Sequence, residues 1–377
     1  MILVSDSRAQ YAARKAEIDA AIARVLASGR YILGEEVAAF EREFADYCGA
    51  AFGVGVNSGT DALIVALRAF GIGEGDEVIT VSHTAVATVA AIVAAGAQPV
   101  LVDIDPTTCT IDPVMFERAI GPRTRAIVPV HLYGLPADMD AVMAIAEGHG
   151  LKVIEDCAQA TGARHRGRRV GTIGHAGCFS FYPTKNLGAV GDGGMIVTND
   201  HALAARASAV RQYGWNEARE SQVDGLNSRL DELQAAVLRA KLPHLDADNL
   251  RRAAIAAFYD EALSETGLGL PRGPEERQHV YHLYVVRSAV RDRICEGLRA
   301  CGVAAGIHYP VPVHLQPAFR DRGMTRWPLP HSEQAAAQVV SLPLYPELTD
   351  DQLDTVVSAV RAQLETMPAE RQLLGHQ

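Results

Sequence analysis

One lysine stands between an apolar run and a glycine-rich turn, a setting in which its amine could become a nucleophile. Lys185 follows SFYPT at 180–184 and precedes GDGG at 191–194. A lysine held among apolar residues loses solvation, so its pKa falls and the neutral amine can attack a carbonyl carbon. Because most lysines lie on solvated faces, a surface position is the alternative interpretation.

Two other stretches could bind charged parts of a ligand. Residues 56–61 run from a predicted strand into a predicted helix, so the first free helical amides, near Gly59 and Thr60, could hold a phosphate. Asp156 stands at the end of a later predicted strand, where ligands meet open α/β sheets, and could balance a cation or bind a metal. A plain cap of the following segment is the alternative at each place.

These three features match the chemical needs of one cofactor, pyridoxal phosphate (PLP). Its phosphate needs amides and hydroxyls, its pyridine nitrogen needs a carboxylate, and its aldehyde needs an amine. The sequence therefore predicts a PLP site built from Lys185, Asp156 and the turn at 56–61. The absence of a GxGxxG motif after the first strand counts against a nicotinamide-dependent sugar oxidoreductase.

The surrounding pattern indicates a layered α/β domain. Between residues 50 and 200, short β-branched runs alternate with alanine-rich helical stretches, as is typical of parallel strands covered by helices on both faces. The predicted strands are 53–56, 77–81, 99–103, 126–130, 152–155, 177–181 and 195–198. The predicted helices between them are 61–70, 86–95, 113–120 and 139–149.

A change of pattern indicates a second, smaller domain. A helical stretch over 230–263, broken near Pro243, leads into fewer strands and helices, so we predict domains at 1–245 and 246–377. The second would be an α+β unit. Its predicted elements are a strand at 282–287, a segment at 306–310, and helices at 292–301, 332–340 and 350–364. The chain after Pro368 is predicted to be a frayed tail.

Composition narrows the class of protein. The 377 residues are 48% hydrophobic and 21% charged, which indicates an ordinary folded protein, and the net charge of −10 argues against a nucleic-acid partner. The six cysteines are scattered without a CxxC pair and predict reduced thiols. The uncharged stretch 84–102 is interrupted by Gly96, Gln98 and Pro99, so it is not predicted to span a membrane. With no signal-peptide pattern, we expect a cytoplasmic location.

The sequence also resembles the DegT/DnrJ/EryC1/StrS family of PLP-dependent nucleotide-sugar aminotransferases over nearly its whole length. The matching stretches are RYILGEEVAAFEREFADYCG (30–49), VGVNSGTDAL (54–63), PVHLYG (129–134), EDCAQA (155–160), CFSFYPTKNLGAVGDGG (178–194), GLNSRLDELQAA (225–236), IHYPVPVHLQPA (307–318) and SLPLYP (341–346). Because these blocks occur in the same order along the chain, chance is an unreasonable explanation.

The resemblance implies roles for individual residues at the cofactor. Lys185 would form the Schiff base, Asp156 would face the pyridine nitrogen, and Gln159 would lie near the ring hydroxyl. The residues that would hold the phosphate are Gly59, Thr60 and Ser180, with Asn227 reaching the site from the second subunit of a homodimer. The residues implied near the sugar nucleotide are Tyr31, Tyr182, Arg229, His308 and Tyr309.

One position departs from the family pattern. Relatives have an aromatic residue that stacks on the pyridine ring, and the aligned position in SHTAVAT (82–88) is Ala85. Either His83 packs against the ring instead, or the cofactor is held without an aromatic stack, which would forgo about 1 kcal/mol. A polar turn residue is an equally good interpretation of His83.

The fold implied by the resemblance is fold-type I, like aspartate aminotransferase: a large α/β domain with a mostly parallel seven-stranded sheet and a smaller C-terminal α+β domain. The implied reaction moves an amino group from L-glutamate to a nucleotide-linked keto-6-deoxy sugar. A 3-keto sugar is preferred over a 4-keto sugar. The product would serve amino-sugar biosynthesis for a surface polysaccharide such as a lipopolysaccharide O-antigen, or for a secondary metabolite.

Two alternatives on the same scaffold remain. A PLP-dependent sugar dehydratase would have histidine where Lys185 stands. A non-catalytic regulatory protein would not need Asp156, Ser180 and Lys185 together, and the sequence has no basic stripe typical of DNA binding.

Two other clusters are expected to be structural. His279 and His282 would face opposite sides of a strand, so no metal site is predicted. The basic run at 164–169 predicts a solvated hairpin, with a contact to a nucleotide phosphate as its alternative.

Overall fold

The computed structural model describes residues 1–365. Its strands are β1 (Phe52–Val56), β2 (Glu77–Val81), β3 (Gln98–Val102), β4 (Thr124–Ile127), β5 (Lys152–Asp156), β6 (Arg164–His165), β7 (Arg168–Arg169), β8 (Ala176–Ser180), β9 (Gly194–Thr198), β10 (Arg277–Gln278), β11 (Tyr284–Arg287) and β12 (Val339–Leu342). Its α-helices are α1 (Ser7–Ala13), α2 (Lys15–Ser28), α3 (Glu35–Cys48), α4 (Gly59–Ala69), α5 (Val86–Ala94), α6 (Pro113–Ala119), α7 (Met139–Gly148), α8 (His201–Val210), α9 (Glu232–Lys241), α10 (Leu245–Leu263), α11 (Arg291–Ala300), α12 (Pro330–Gln338) and α13 (Asp350–Glu365).

A seven-stranded sheet forms the centre of the larger part, in the order β1-β9-β8-β5-β4-β2-β3. Six strands of the sheet run in one direction, and β9 alone runs in the opposite direction. The predicted mostly parallel sheet is therefore confirmed. Each predicted strand of the sheet overlaps an observed one. The largest shift is at β4, which begins two residues earlier than predicted and ends at Ile127.

Side chains of the sheet alternate between two apolar layers, as the two-residue period of a strand requires. Val54, Val78 and Ile154 face the layer that contains α4, α5 and α8. Ile79 and Val153 belong to the layer on the other side of the sheet, which also contains α6 and α7. Because both faces are covered, the strands are apolar runs with little polar alternation.

Both edges of the sheet are covered by other parts of the chain. On β1, the outward N–H of Gly55 donates to Glu41 Oε1 of α3 at 2.8 Å. On β3, the N–H of Leu101 donates to the carbonyl oxygen of Met324 at 2.7 Å. Neither edge strand therefore presents an open row of amides.

The C-terminal part has its own apolar core, in which the antiparallel pair β11–β12 packs with α10, α11 and α13. The predicted α+β unit is confirmed in architecture, and the boundary at residue 245 remains a prediction. The predicted helix 332–340 is too long, because α12 ends at Gln338 and the β-branched Val339 and Val340 pair with β11. Residues 366–377, including the predicted tail, lie outside the described residues.

No helix in residues 1–365 combines the length and the apolar character needed to cross a bilayer. The stretch 84–102, which was not predicted to span a membrane, forms α5, a turn and β3.

Candidate active site

Several residues predicted to bind the cofactor lie at the carboxyl edge of the parallel strands. Asp156 ends β5, Ser180 ends β8, and the loop with His83 follows β2. Carboxyl ends of parallel strands meet at one edge of a sheet, which explains why residues far apart in sequence lie together here.

Asp156 is buried and has hydrogen-bonding capacity to spare. Its Oδ2 accepts from the Thr88 hydroxyl at 2.8 Å, and its Oδ1 accepts from the Ala158 N–H at 3.1 Å. Burial raises the pKa of Asp156, while these hydrogen bonds and the charge of Lys185 act in the opposite direction. A buried carboxylate of this kind is stabilised by a cationic partner.

Lys185 lies in the turn that follows β8, with its N–H bonded to the Tyr182 carbonyl at 2.8 Å. Desolvation lowers the pKa of Lys185 to about 8, and the negative charge of Asp156 limits the fall. Lys185 as a whole residue is partly buried. A substantial neutral fraction therefore exists near neutral pH, which suits attack on a carbonyl.

The turn before α4 lies against the end of β8. A Cβ on Gly59 would come within 2.6 Å of the Ser180 Cβ, so only glycine permits this approach. Ser58 is the N-cap and accepts from the Asp61 N–H at 3.1 Å. The first amides of α4, at Gly59 and Thr60, have no acceptor within the helix, which makes the turn a place for an anion beside the Ser180 hydroxyl.

Gln159 and Tyr309 are hydrogen-bonded neighbours. The Gln159 side chain accepts from the backbone N–H of Tyr133 at 2.7 Å and donates to the Tyr309 hydroxyl at 3.0 Å. Burial raises the pKa of Tyr309 to about 12, so its hydroxyl stays protonated at physiological pH. His308 packs beside it, with Nδ1 at 2.8 Å from the Ser341 hydroxyl.

His83 is fully buried and is bonded to a tyrosine. Its Nε2 lies 2.8 Å from the Tyr133 hydroxyl, and the two rings meet edge to face. Desolvation lowers the pKa of His83 to about 4. A ring stack on the cofactor therefore remains a prediction for His83, whereas its contact with Tyr133 is observed.

Other predicted residues are exposed in the single chain. Tyr31 is 48% exposed and Tyr182 is 53% exposed. Asn227 is also exposed, and Arg229 is partly buried with its guanidinium 5.9 Å from the ring centre of Tyr213. The hydrogen-bonded cluster around Gln159 does not include them.

Sequence reasoning missed two residues that hold the site. Thr88 bonds to Asp156, and Tyr133 contacts both Gln159 and His308. Tyr133 lies within the matching stretch PVHLYG, and Thr88 lies in SHTAVAT, the stretch that departs from the family pattern. No local pattern reveals that α5 brings Thr88 to the end of β5.

Two other groups of polar side chains have local partners. His131, Glu155 and Cys157 lie close enough to hold a metal, but Glu155 is occupied by His131 Nε2 and by backbone amides. The basic hairpin is β6–β7, and Arg166 and Arg169 pair with Asp140 and Asp246.

The histidine pair at 279 and 282 differs from its prediction in one respect. Both residues lie in the connection between β10 and β11, so strand alternation does not separate them. His279 instead stacks on Tyr281, with ring centres 4.0 Å apart.

The residues present fit PLP at each of its charged or reactive parts. The Gly59 turn and Ser180 offer amides and a hydroxyl for the phosphate, and Asp156 offers a buried carboxylate for the pyridinium nitrogen. Lys185 offers an amine of lowered pKa for the aldehyde.

Comparisons with known proteins identify relatives over nearly the full chain. The chain is 52% identical over 357 residues to the dTDP-3-amino-3,4,6-trideoxy-alpha-D-glucose transaminase of Streptomyces venezuelae, covering 94% of each chain. It is 50% identical to the erythromycin biosynthesis sensory transduction protein EryC1 of Saccharopolyspora erythraea, covering 95% of this chain and 98% of that one.

A solved structure confirms the fold. The crystal structure of S. venezuelae DesV in complex with a ketimine intermediate matches with a TM-score of 0.94 and 51% identity, covering 98% of this chain and 99% of that one. The profile of the DegT/DnrJ/EryC1/StrS aminotransferase family matches residues 12–361. This protein therefore belongs to the DegT/DnrJ/EryC1/StrS family and is an aminotransferase.

Proposed function

We propose that this enzyme uses PLP to transfer an amino group from L-glutamate to a nucleotide-linked keto-6-deoxy sugar. The observation that carries the proposal is the electrostatic interaction of Asp156 with Lys185: a buried carboxylate with spare acceptor capacity acts on an amine whose pKa is about 8. This combination serves a cofactor that carries both a cationic nitrogen and a reactive carbonyl.

PLP, when bound, supplies a carbonyl that can exchange amines and a ring that withdraws electrons from the reacting carbon. Asp156 keeps the ring nitrogen protonated, with Thr88 and Ala158 holding the carboxylate in place. Lys185 Nζ serves as the base that takes the proton from the α-carbon of the amino donor. Gly59, Thr60 and Ser180 hold the phosphate, and Gln159 lies near the ring hydroxyl.

The acceptor is proposed to be a 3-keto sugar. The S. venezuelae relative is a transaminase whose name specifies a 3-amino sugar on dTDP. His308, Tyr309 and Tyr182 are proposed to contact this sugar, with Tyr31 and Arg229 nearby. The product would enter amino-sugar biosynthesis for a surface polysaccharide or a secondary metabolite.

The active unit is proposed to be a homodimer. Tyr31, Tyr182 and Asn227 are exposed in the single chain although the proposed site needs them. A second copy would cover the cleft and place its Asn227 near the phosphate.

The test is the visible absorption spectrum of the PLP-loaded enzyme before and after L-glutamate is added. Wild type should show the band of lysine-bound cofactor and lose it with glutamate, whereas Lys185→Ala should show neither behaviour. Lys241→Gln is the matched control, because Lys241 is also buried with a pKa of about 8 but donates to Gln10 and the Gly188 carbonyl. Absence of the band in loaded wild type would contradict a lysine-bound cofactor.

The acceptor is tested separately by offering dTDP-3-keto and dTDP-4-keto 6-deoxyhexoses to the glutamate-treated enzyme. We expect an amino sugar from the 3-keto compound. Product from the 4-keto compound alone would reverse the proposed regiochemistry while leaving the donor reaction intact.

A further inference from the structure

Tyr133 connects three segments of the candidate site, which contain His83, Gln159 and His308. It is buried, and its backbone is left-handed (φ 60°, ψ 0°), a conformation that non-glycine residues rarely adopt. Its hydroxyl donates to the carbonyl oxygen of His308, and His83 Nε2 lies 2.8 Å from the same hydroxyl. Its backbone N–H donates to Gln159 Oε1 at 2.7 Å.

These contacts close into a ring. Gln159 Nε2 donates to the Tyr309 hydroxyl at 3.0 Å, and Tyr309 is bonded in the chain to His308. The backbone of Tyr133 therefore holds this segment through Gln159, while its hydroxyl holds the segment directly. Loss of the hydroxyl alone would open the ring at one point.

The direction of each hydrogen bond at the hydroxyl follows from the number of protons. Tyr133 has one hydroxyl proton, and the His308 carbonyl can only accept. His83 must therefore donate from Nε2 to the hydroxyl oxygen. Since burial lowers the pKa of His83 to about 4, its ring is neutral at physiological pH, with the proton on Nε2.

The turn that carries Tyr133 is itself anchored to the chain leading into β11. The Leu283 N–H donates to the Tyr133 carbonyl at 3.3 Å, and the Val280 N–H donates to the Gly134 carbonyl at 3.0 Å. A Cβ on Gly134 would come within 2.9 Å of the backbone nitrogen of His282, so the turn packs tightly there. These backbone contacts therefore fix the position of Tyr133 relative to its hydrogen-bond partners.

We propose that Tyr133 is a positioning residue for the sugar-binding half of the site, with its hydroxyl fixing the His308–Tyr309 segment relative to Gln159. The proposal rests on the proposed function, in which His308 and Tyr309 contact the acceptor sugar. The hydroxyl contacts neither Asp156 nor Lys185, so its loss should affect the acceptor reaction and spare the donor reaction.

The test is Tyr133→Phe in the full-length, PLP-loaded enzyme. We expect KM for the dTDP-3-keto sugar to rise about tenfold, as for the loss of one well-placed hydrogen bond, and the rate of the glutamate half-reaction to stay unchanged. Tyr259→Phe is the control, because its buried hydroxyl donates to the Pro343 carbonyl at 2.9 Å in the C-terminal core. An unchanged KM in Tyr133→Phe, or an equal rise in the control, would overturn the proposal.

Amide hydrogen exchange gives a readout that does not depend on turnover. Peptides that span 307–311 should exchange faster in Tyr133→Phe than in wild type, and no faster in Tyr259→Phe. If exchange accelerates but wild type aminates none of the sugars offered, the positioning role stands and the proposed acceptor fails. If exchange does not change, the positioning role fails whatever the substrate is.

Discussion

Glu155 and Asp156 are neighbours at the end of β5, both buried, yet they have opposite surroundings. The oxygens of Glu155 accept from His131 Nε2 at 3.0 Å and from the backbone amides of Gly171, Ile173 and Gly174 at 2.8, 2.8 and 2.7 Å. Those of Asp156 accept from the Thr88 hydroxyl and the Ala158 amide. A carboxylate offers about four lone-pair sites, so Glu155 is saturated and Asp156 is not.

This difference separates a structural acid from one available for chemistry. Glu155 anchors the loop that precedes β8 and has no capacity left for a ligand. Asp156 is also buried, which raises its pKa, but its oxygens can accept further hydrogen bonds. Adjacent carboxylates in a sequence are therefore distinguished by the donors around them, which only the folded chain supplies.

Asp156→Asn should give the largest effect on the rate. We expect kcat to fall by roughly 10²- to 10³-fold, because an amide cannot provide the charge that holds the ring nitrogen protonated. The free energy of unfolding should change by less than about 1 kcal/mol, because the substitution also removes a desolvated charge. Steady-state kinetics and urea unfolding measure the two quantities. A kcat within about tenfold of wild type would contradict the assigned role.

Glu155→Gln should show the reverse pattern. An amide in this place offers N–H donors to backbone N–H groups, so the free energy of unfolding should fall by about 3 kcal/mol. The kcat per folded molecule should stay within about twofold of wild type, since Glu155 is fully buried and its oxygens are taken by His131 and backbone amides. If this variant loses activity while keeping its stability, the distinction between the two acids is wrong.

The pH dependence of Lys185 tests how the negative charge of Asp156 acts on the lysine amine. In cofactor-free enzyme, the rate of recombination with PLP should rise with pH through about 8 and level off above it, because the neutral amine is the nucleophile. At pH 7 this leaves on the order of a hundredfold more free amine than an ordinary lysine would have. Stopped-flow absorbance across the pH range measures this profile.

Asp156→Asn provides the control for that profile. The negative charge of Asp156 raises the pKa of Lys185, so removing it should move the midpoint to lower pH. A midpoint that stays in place, or moves upward, would mean that the two groups do not interact.

Thr88→Val should have the smallest effect. It removes the hydroxyl that stabilises ionised Asp156, so the pKa of that carboxyl should rise further and kcat/KM should fall about three- to tenfold. Thr84→Val is the matched variant, because the Thr84 hydroxyl bonds to Thr88 at 3.0 Å instead of to the acid. An equal loss in both variants would show that packing, and not the hydrogen bond to Asp156, is responsible.

Much of the large α/β unit could be predicted because its signals are local. Strands such as β2 and β3 are short β-branched runs bounded by turns, and the break at Pro243 separates α9 from α10 as expected. The end of α12 could not be predicted, because an alanine-rich helix passes directly into β12 and the pairing with β11 decides where it stops.

The candidate site was predictable only in part, for a physical reason. Lys185, Asp156 and Gly59 carry signals in their own segments, namely a glycine-rich turn, a strand end and a helix start. Tyr133 and Thr88 act through contacts with residues remote in sequence, so their types alone say nothing about those contacts. Residues such as Asn227 are exposed in a single chain, and their prediction rests on the family resemblance.

The covered edges of the central sheet limit how copies of this chain can associate. Strand addition needs a free row of backbone donors and acceptors, but Glu41 caps Gly55 on one border and Met324 caps Leu101 on the other. Chains cannot extend the sheet from one molecule into the next without first displacing these segments. These two contacts therefore oppose edge-to-edge association of copies through the central sheet.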